Sequence, residues 1–187
     1  MDHSLLTVQV PGKLMIAGEF AVLERSQTLI VTAVDRFVYA KIKRSNENRL
    51  SLENLNINKV KWEWDYTENE VKVYTDDKRV NFVKDAMTIT IAYLHEQSIY
   101  PECCTLHIHS ELDDSSGAKY GLGSSAAVVT SVVSSLLKMF LPSPPTEMTV
   151  FKLAAISHLE TQGSGSGADI AASTFGGVLQ YSSFHAG

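Results

Sequence analysis

The sequence predicts an α+β domain in which a mixed or antiparallel sheet packs against helices. Three observations lead there. Residues 5–10 and 29–43 are rich in β-formers and carry stretches of apolar–polar alternation, the period of half-buried strands. Residues 80–95 change to an apolar position every three or four, the period of a helix. The order of elements (strands, helix, strand, two helices, loop, strand) lacks the regular βαβ alternation of a parallel sheet.

Each element has its own justification. Residues 5–10 form a first strand, which Pro11-Gly12 is expected to end. Residues 14–17 are a short apolar run, and Gly18-Glu19 turns the chain. In 29–43, a long or bent strand, Phe37, Tyr39, Lys41 and Lys43 share one face and Val38, Ala40 and Ile42 the other. Residues 49–55 and 70–74 are further strand candidates in a polar region. Trp62 and Trp64, two apart, fit one face of a strand, and surface packing explains them as well as ligand contact does. Val80, Val83, Met87, Ile91 and Leu94 define an amphipathic helix. Residues 105–110 return to strand, with His107 and His109 on one face. A half-exposed strand face explains that pair better than a metal site, because no third ligand is near in sequence. From Val128 to Phe140 the apolar residues cover more than one helix face, which predicts a helix buried on most sides despite its β-branched content. Pro142, Pro144 and Pro145 end it. Thr146 is an N-cap for a second helix reaching about Gln162. Residues 168–172 start a short helix, and 178–181, after Gly176-Gly177, form a last strand.

Composition narrows the function. The 187 residues suffice for one well-buried domain, and with 44% hydrophobic and 20% charged residues the chain is expected to fold. A net charge of −5 without any cluster of lysine and arginine argues against a nucleic-acid or membrane-surface partner. Cys103 and Cys104 are neighbours, which rarely meet disulfide geometry, and they read as strand residues in a reducing compartment. The first residues lack the basic start and apolar core of a signal peptide. The most apolar segment, 126–141, is too short to span a bilayer and is interrupted by Ser131, Ser134, Ser135 and Lys138. A soluble cytoplasmic protein is expected.

The most informative segment is Gly121, Leu122, Gly123, Ser124, Ser125, Ala126 and Ala127, between a polar loop that begins at Asp113 and the apolar helix. Glycine lets the backbone approach a ligand, and a helix start offers free N–H groups and a positive dipole end, which together suit phosphate. Read alone, the segment is equally a tight turn before a close-packed helix. Its match to the dinucleotide fingerprint GxGxxA is weak, since a polar loop separates it from the preceding strand and prolines occupy the expected second strand. No GxxxxGK[ST] loop and no GxSxG elbow is present. Two more segments bear on the choice. PGKLMIAGEF sets Lys13 after a Pro-Gly pair, where the bland reading is a surface lysine. GSGSGADIAA sets Asp169 alone among small residues, where the bland reading is a charge near a helix N-terminus.

Taken in order, PGKLMIAGEF, KYGLGSSAA and GSGSGADIAA resemble the GHMP kinases, the superfamily of galactokinase, homoserine kinase, mevalonate kinase and phosphomevalonate kinase. The run from Lys13 to Phe20 is most similar to the bacterial phosphomevalonate kinases. Mevalonate kinases, the alternative, usually carry histidine where this chain has Phe20. The resemblance implies a GHMP-kinase N-terminal lobe using ATP and Mg²⁺. Gly121, Leu122, Gly123, Ser124, Ser125 and Ala126 would bind the ATP phosphates, and Ser124 or Ser125 would help to place Mg²⁺. Lys13 would face the transferred phosphoryl group with Asp169 opposite, while Glu19, Lys119 and Ser166 would help to hold the substrate. The implied acceptor is a small molecule, 5-phosphomevalonate. A phosphate monoester is mostly dianionic at neutral pH, so its phosphorylation calls for charge neutralisation more than for a strong base. The resemblance covers only the N-terminal half of the family's pattern: the third glycine-rich motif is missing. Residues 1–187 are therefore expected to be a fragment whose structural partner is the C-terminal domain, with doubtful activity of its own or only a nucleotide-binding role.

Overall fold

The structure is a computed structural model that describes residues 5–24, 27–113 and 121–183. Its elements are β1 (Leu6–Ala17), β2 (Thr28–Arg44), β3 (Arg49–Leu52), β4 (Ile57–Asp65), β5 (Glu70–Val73), α1 (Asn81–Glu96), β6 (Cys104–Ser110), α2 (Ser124–Phe140), α3 (Glu147–Gln162), α4 (Ala168–Phe175) and β7 (Val178–Ser182). The strands run in the order β1-β2-β6-β3-β4-β5, and β7 adds to β2. All pairings are antiparallel except β3 with β6, so the sheet is mixed. The 17-residue β2 organises it: residues 28–32 pair with β7 and residues 38–44 with β6, while β1 runs along both.

The four helices fill the other layer, with α2 at the centre. It packs on β1 and β2 and touches α1, α3 and α4. Eleven of its residues are buried, from Ala126 to Leu137. That burial offsets the helix cost of Val129, Val132 and Val133, whose branched side chains fill the space between sheet and helices. Ser131 and Ser135 donate to the Val128 and Val132 carbonyls, so their hydroxyls are satisfied without leaving the core. In α1 the apolar stripe Val83, Met87, Ile91 and Leu94 is buried as its spacing requires. A second, smaller core of Val22, Leu29, Val31, Ala168 and Ala172 fastens α4 to β2 and to the turn after β1.

Two expectations are corrected and a third is extended. Pro11-Gly12 does not end β1, which continues to Ala17 with a register shift between Pro11 and Lys13. β1 is an edge strand, where proline leaves no ladder donor missing. The strand expected over 49–55 stops at Leu52, where Glu53, Asn54 and Leu55 form a 3₁₀ turn closed by Asn56 in the left-handed conformation. The strand that the spacing of Trp62 and Trp64 suggested is β4; its lysines and the left-handed Lys59 hide how far it extends.

Candidate active site

The glycine-rich segment lies where β1, α2 and α4 meet. Gly123 stands before α2 with φ +75°, the left-handed region that favours glycine, and offers no side chain to cap the helix. The first N–H groups of a helix have no partner inside it, and here they open onto the loop. Lys13 lies across this loop. Its backbone N–H donates to the Leu122 carbonyl at 2.8 Å, and its ammonium lies 3.4 Å from the Gly121 carbonyl. A Cβ on Gly123 would sit 2.8 Å from Lys13 Cγ, so only glycine lets the lysine stem pass. Gly12 serves the same approach from the strand side, since a Cβ there would meet the Leu122 carbonyl at 2.7 Å. The Pro11 carbonyl accepts from Ser173 Oγ of α4 at 2.9 Å, which joins the third element.

The two serines that open α2 are tethered differently. Ser124 Oγ donates to Asp113 Oδ2 at 2.7 Å, and Ser110 Oγ donates to the same oxygen at 3.1 Å. Ser125 Oγ shares a 3.1 Å hydrogen bond with Nε2 of His158, a buried residue of α3. The Phe82 ring of α1 stands 5.2 Å from that imidazole. Burial lowers the His158 pKa, and the nearby Asp169 charge opposes that shift. Ala126, next along α2, is fully buried.

Asp169 is in the first turn of α4, which begins after Gly167, another left-handed glycine. Its Oδ1 accepts from the Ile170 N–H at 3.0 Å. Burial, with the Asp169 charge beside it, pushes the Tyr181 phenol up to about 12, so Tyr181 stays a donor; it bonds to the Ser166 carbonyl at 2.5 Å. The Ser166 hydroxyl accepts from the Ala168 N–H at 3.3 Å. No ion pair joins Lys13 to Asp169 among the described residues; the aspartate charge acts on the titration of His158 and Tyr181. Glu19 is exposed in the turn after β1. Lys119 lies outside the described residues.

A cleft of about 450 Å³ opens beside Ser124 and Ser125, between the turn after β3 and the start of α1. Asn54, Leu55, Lys78, Arg79 and Phe82 are among its walls. Asn54 braces it: its amide donates to the Ser110 carbonyl at 2.8 Å and accepts from the Ser110 N–H at 2.7 Å. His107 and His109 lie on the half-exposed face of β6, with Glu53 Oε2 at 3.4 and 3.5 Å. Among the described residues no group of three or more His, Cys, Asp or Glu side chains is arranged to hold a metal ion. None of their helices is long and apolar enough to cross a membrane.

Sequence reasoning missed His158 and gave Asp113 no role. For His158 a signal existed. It continues the buried stripe of Val150, Leu153, Ala154 and Ser157 on α3, and a polar ring on such a stripe must find a partner. The tether joins Asp113 to Ser124, eleven positions apart in sequence, and leaves no periodic trace.

Comparison with known proteins adds a second line. Residues 81–177 match the family profile described as GHMP kinases N terminal domain. A phosphomevalonate kinase from Streptomyces sp. (strain CL190) is 30% identical over 180 residues, 91% of this chain and 48% of the relative. The crystal structure of a Lin0012 protein from Listeria innocua superposes with a TM-score of 0.88 at 39% identity, over 97% of this chain and 49% of that one. A Streptococcus pneumoniae phosphomevalonate kinase, solved in complex with phosphomevalonate and AMPPNP, shares the fold, with a TM-score of 0.79 at 24% identity over 96% of this chain and 50% of that one. The chain thus spans about half the length of the relatives it matches.

Proposed function

Because this chain belongs to the GHMP kinases, we propose that it supplies the nucleotide-binding part of an ATP-dependent small-molecule kinase whose acceptor is 5-phosphomevalonate. The observation that carries the reading is the loop of Gly121, Leu122 and Gly123 at the open start of α2, with Lys13 laid across it and a cleft of about 450 Å³ alongside. Anionic phosphates fit a helix start that has an adjacent ammonium and no side-chain cap from its N-cap residue. The nucleoside then extends into the cleft toward Asn54 and Phe82.

Within this reading, Lys13 neutralises the phosphoryl group in transfer, and Gly121 to Ala126 hold the ATP phosphates. The Ser124 and Ser125 hydroxyls and the Asp113 and Asp169 carboxylates are oxygen donors, the type that Mg²⁺ takes, and an ion arriving on the nucleotide needs only one or two of them. Bound there, Mg²⁺ would neutralise charge between the β- and γ-phosphates. Asp169 positions Lys13 or the metal. Glu19, Lys119 and Ser166 are the proposed substrate contacts. The acceptor rests on the motif from Lys13 to Phe20 and on the phosphomevalonate kinase relative. A dianionic acceptor needs no strong base, so the cations matter most.

Calorimetric titration with ATP–Mg²⁺ tests the binding. Supplying the polypeptide that matches the other half of the relatives, and following ADP release with phosphomevalonate and with mevalonate, tests the reaction and names the acceptor. Lys13→Met is expected to lower turnover at least a hundredfold, roughly the cost of removing one charge-stabilising group. Absence of ATP binding overturns the reading. Faster turnover with mevalonate overturns the acceptor. Near-intact turnover in Lys13→Met, with Asp169→Asn inactive, overturns the division of labour.

A further inference from the structure

His158 has no part in the roles above, yet it is only 4% exposed and bonds to one of the residues that begin α2. We infer that His158 is a positioning residue that holds the Ser125 hydroxyl in the one rotamer that faces the nucleotide phosphates. The inference rests on the phosphate-loop reading of the proposed function.

A serine in the first turn of a helix has staggered rotamers of similar energy, and its hydroxyl carries one proton and two lone pairs. With the proton on Nε2 the imidazole donates in the 3.1 Å contact and the serine accepts, which leaves the Ser125 proton for a phosphate oxygen beside the cleft that Ser125 lines. The anchor is itself immobile. α3 carries the imidazole, and Phe82 of α1 covers it at 5.2 Å. Two helices therefore hold the ring that holds the hydroxyl. Ser124 is held from the opposite side by Asp113 at 2.7 Å. The Ser125 hydroxyl is thus aimed before ligand arrives, which removes an ordering cost from binding; Ser124, whose proton goes to Asp113, keeps only lone pairs, the donor type a metal ion takes. A buried histidine that served packing alone would need only a partner for its polar atoms. Here the partner is the residue whose direction matters for ligand.

The test is a double-mutant cycle on the full chain, read by calorimetric binding of ATP–Mg²⁺, with thermal melting in parallel. Ser125→Ala and His158→Phe are each expected to weaken binding about tenfold, the loss of one hydrogen bond near charge. The double variant is expected to bind no more weakly than Ser125→Ala, because the histidine acts through the serine. His158→Gln, which keeps a donor and an acceptor, is expected to bind within about threefold of wild type. Additive losses, about a hundredfold in the double variant, overturn the inference, and so does a His158→Gln that melts like wild type but binds as weakly as His158→Phe. If wild type binds no ATP–Mg²⁺, the phosphate-loop reading fails, and the tether is judged by the ¹⁵N resonances of the His158 ring in the ligand-free protein. Ser125→Ala is expected to move the Nε2 signal; an unmoved signal overturns the inference on its own.

Discussion

Gly123 carries the sharpest consequence of a single residue. A Cβ there would meet Lys13 Cγ at 2.8 Å, and φ is +75°. Gly123→Ala is therefore expected to cost about 1–2 kcal/mol from the left-handed backbone alone, and to lift the Lys13 stem off the loop. Its measurable signs are a lower melting temperature and weaker ATP–Mg²⁺ binding. The two cysteines separate in reactivity. Both are free, Cys103 exposed and Cys104 buried. Burial pushes the Cys104 thiol up to about 12, so it forms almost no thiolate near neutral pH. Alkylation of the native protein at pH 8 is expected to label Cys103 alone by peptide mass spectrometry, and equal labelling would contradict the buried start of β6. Lys13, Ser124, Ser125 and Asp169 were legible as candidates because small residues surround them in motifs. The neighbours that orient them, Asp113 and His158, were not, since each reaches its serine across chain that shares no period with it.

At the scale of elements, the helices were the most legible part, because their apolar stripes match what they bury. Thr146 is the N-cap of α3 as its position suggested, accepting from the Thr149 N–H at 3.1 Å. Thr146→Ala is expected to lose about 1 kcal/mol, seen as a melting temperature lower by roughly 2–4 °C, with ATP binding unchanged. The β4–β5 hairpin was less legible in its first strand, because the left-handed Lys59 interrupts the pattern there. Its turn carries a pH signature. The Lys72 ammonium, then the Thr67 and Glu68 N–H groups, hold the Asp65 carboxyl down to about 2. The ordinary aspartate value is about 3.9. The folded state thus prefers the ionised form, and this stabilisation is present above about pH 4 and lost as pH falls toward about 2. Acid unfolding curves for Asp65→Asn are expected to be shallower across that window than those of wild type.

Across the whole molecule, the fold class was legible from element order, while the long β2 that carries β7 and β6 in succession was not, because its neighbours come from distant sequence. Several apolar side chains are exposed, among them Leu14 and Ile16, which alternate on β1 at 48% and 58% exposure, and Phe20, 81% exposed in the turn that follows. Phe20→Ser is expected to leave stability within about 0.5 kcal/mol and to raise solubility, measured by sedimentation and denaturant melts. The contact between Lys13 and Leu122 also gives the molecule a gauge of its own. The Lys13 amide donates outward from an edge strand to a loop, not to another strand. Its exchange with solvent deuterium therefore counts how often the loop lifts, while the amides between β1 and β2 report the opening of the sheet. A ligand seated on the loop is expected to slow that one amide beyond its strand neighbours, turning a single backbone hydrogen into a clock for occupancy.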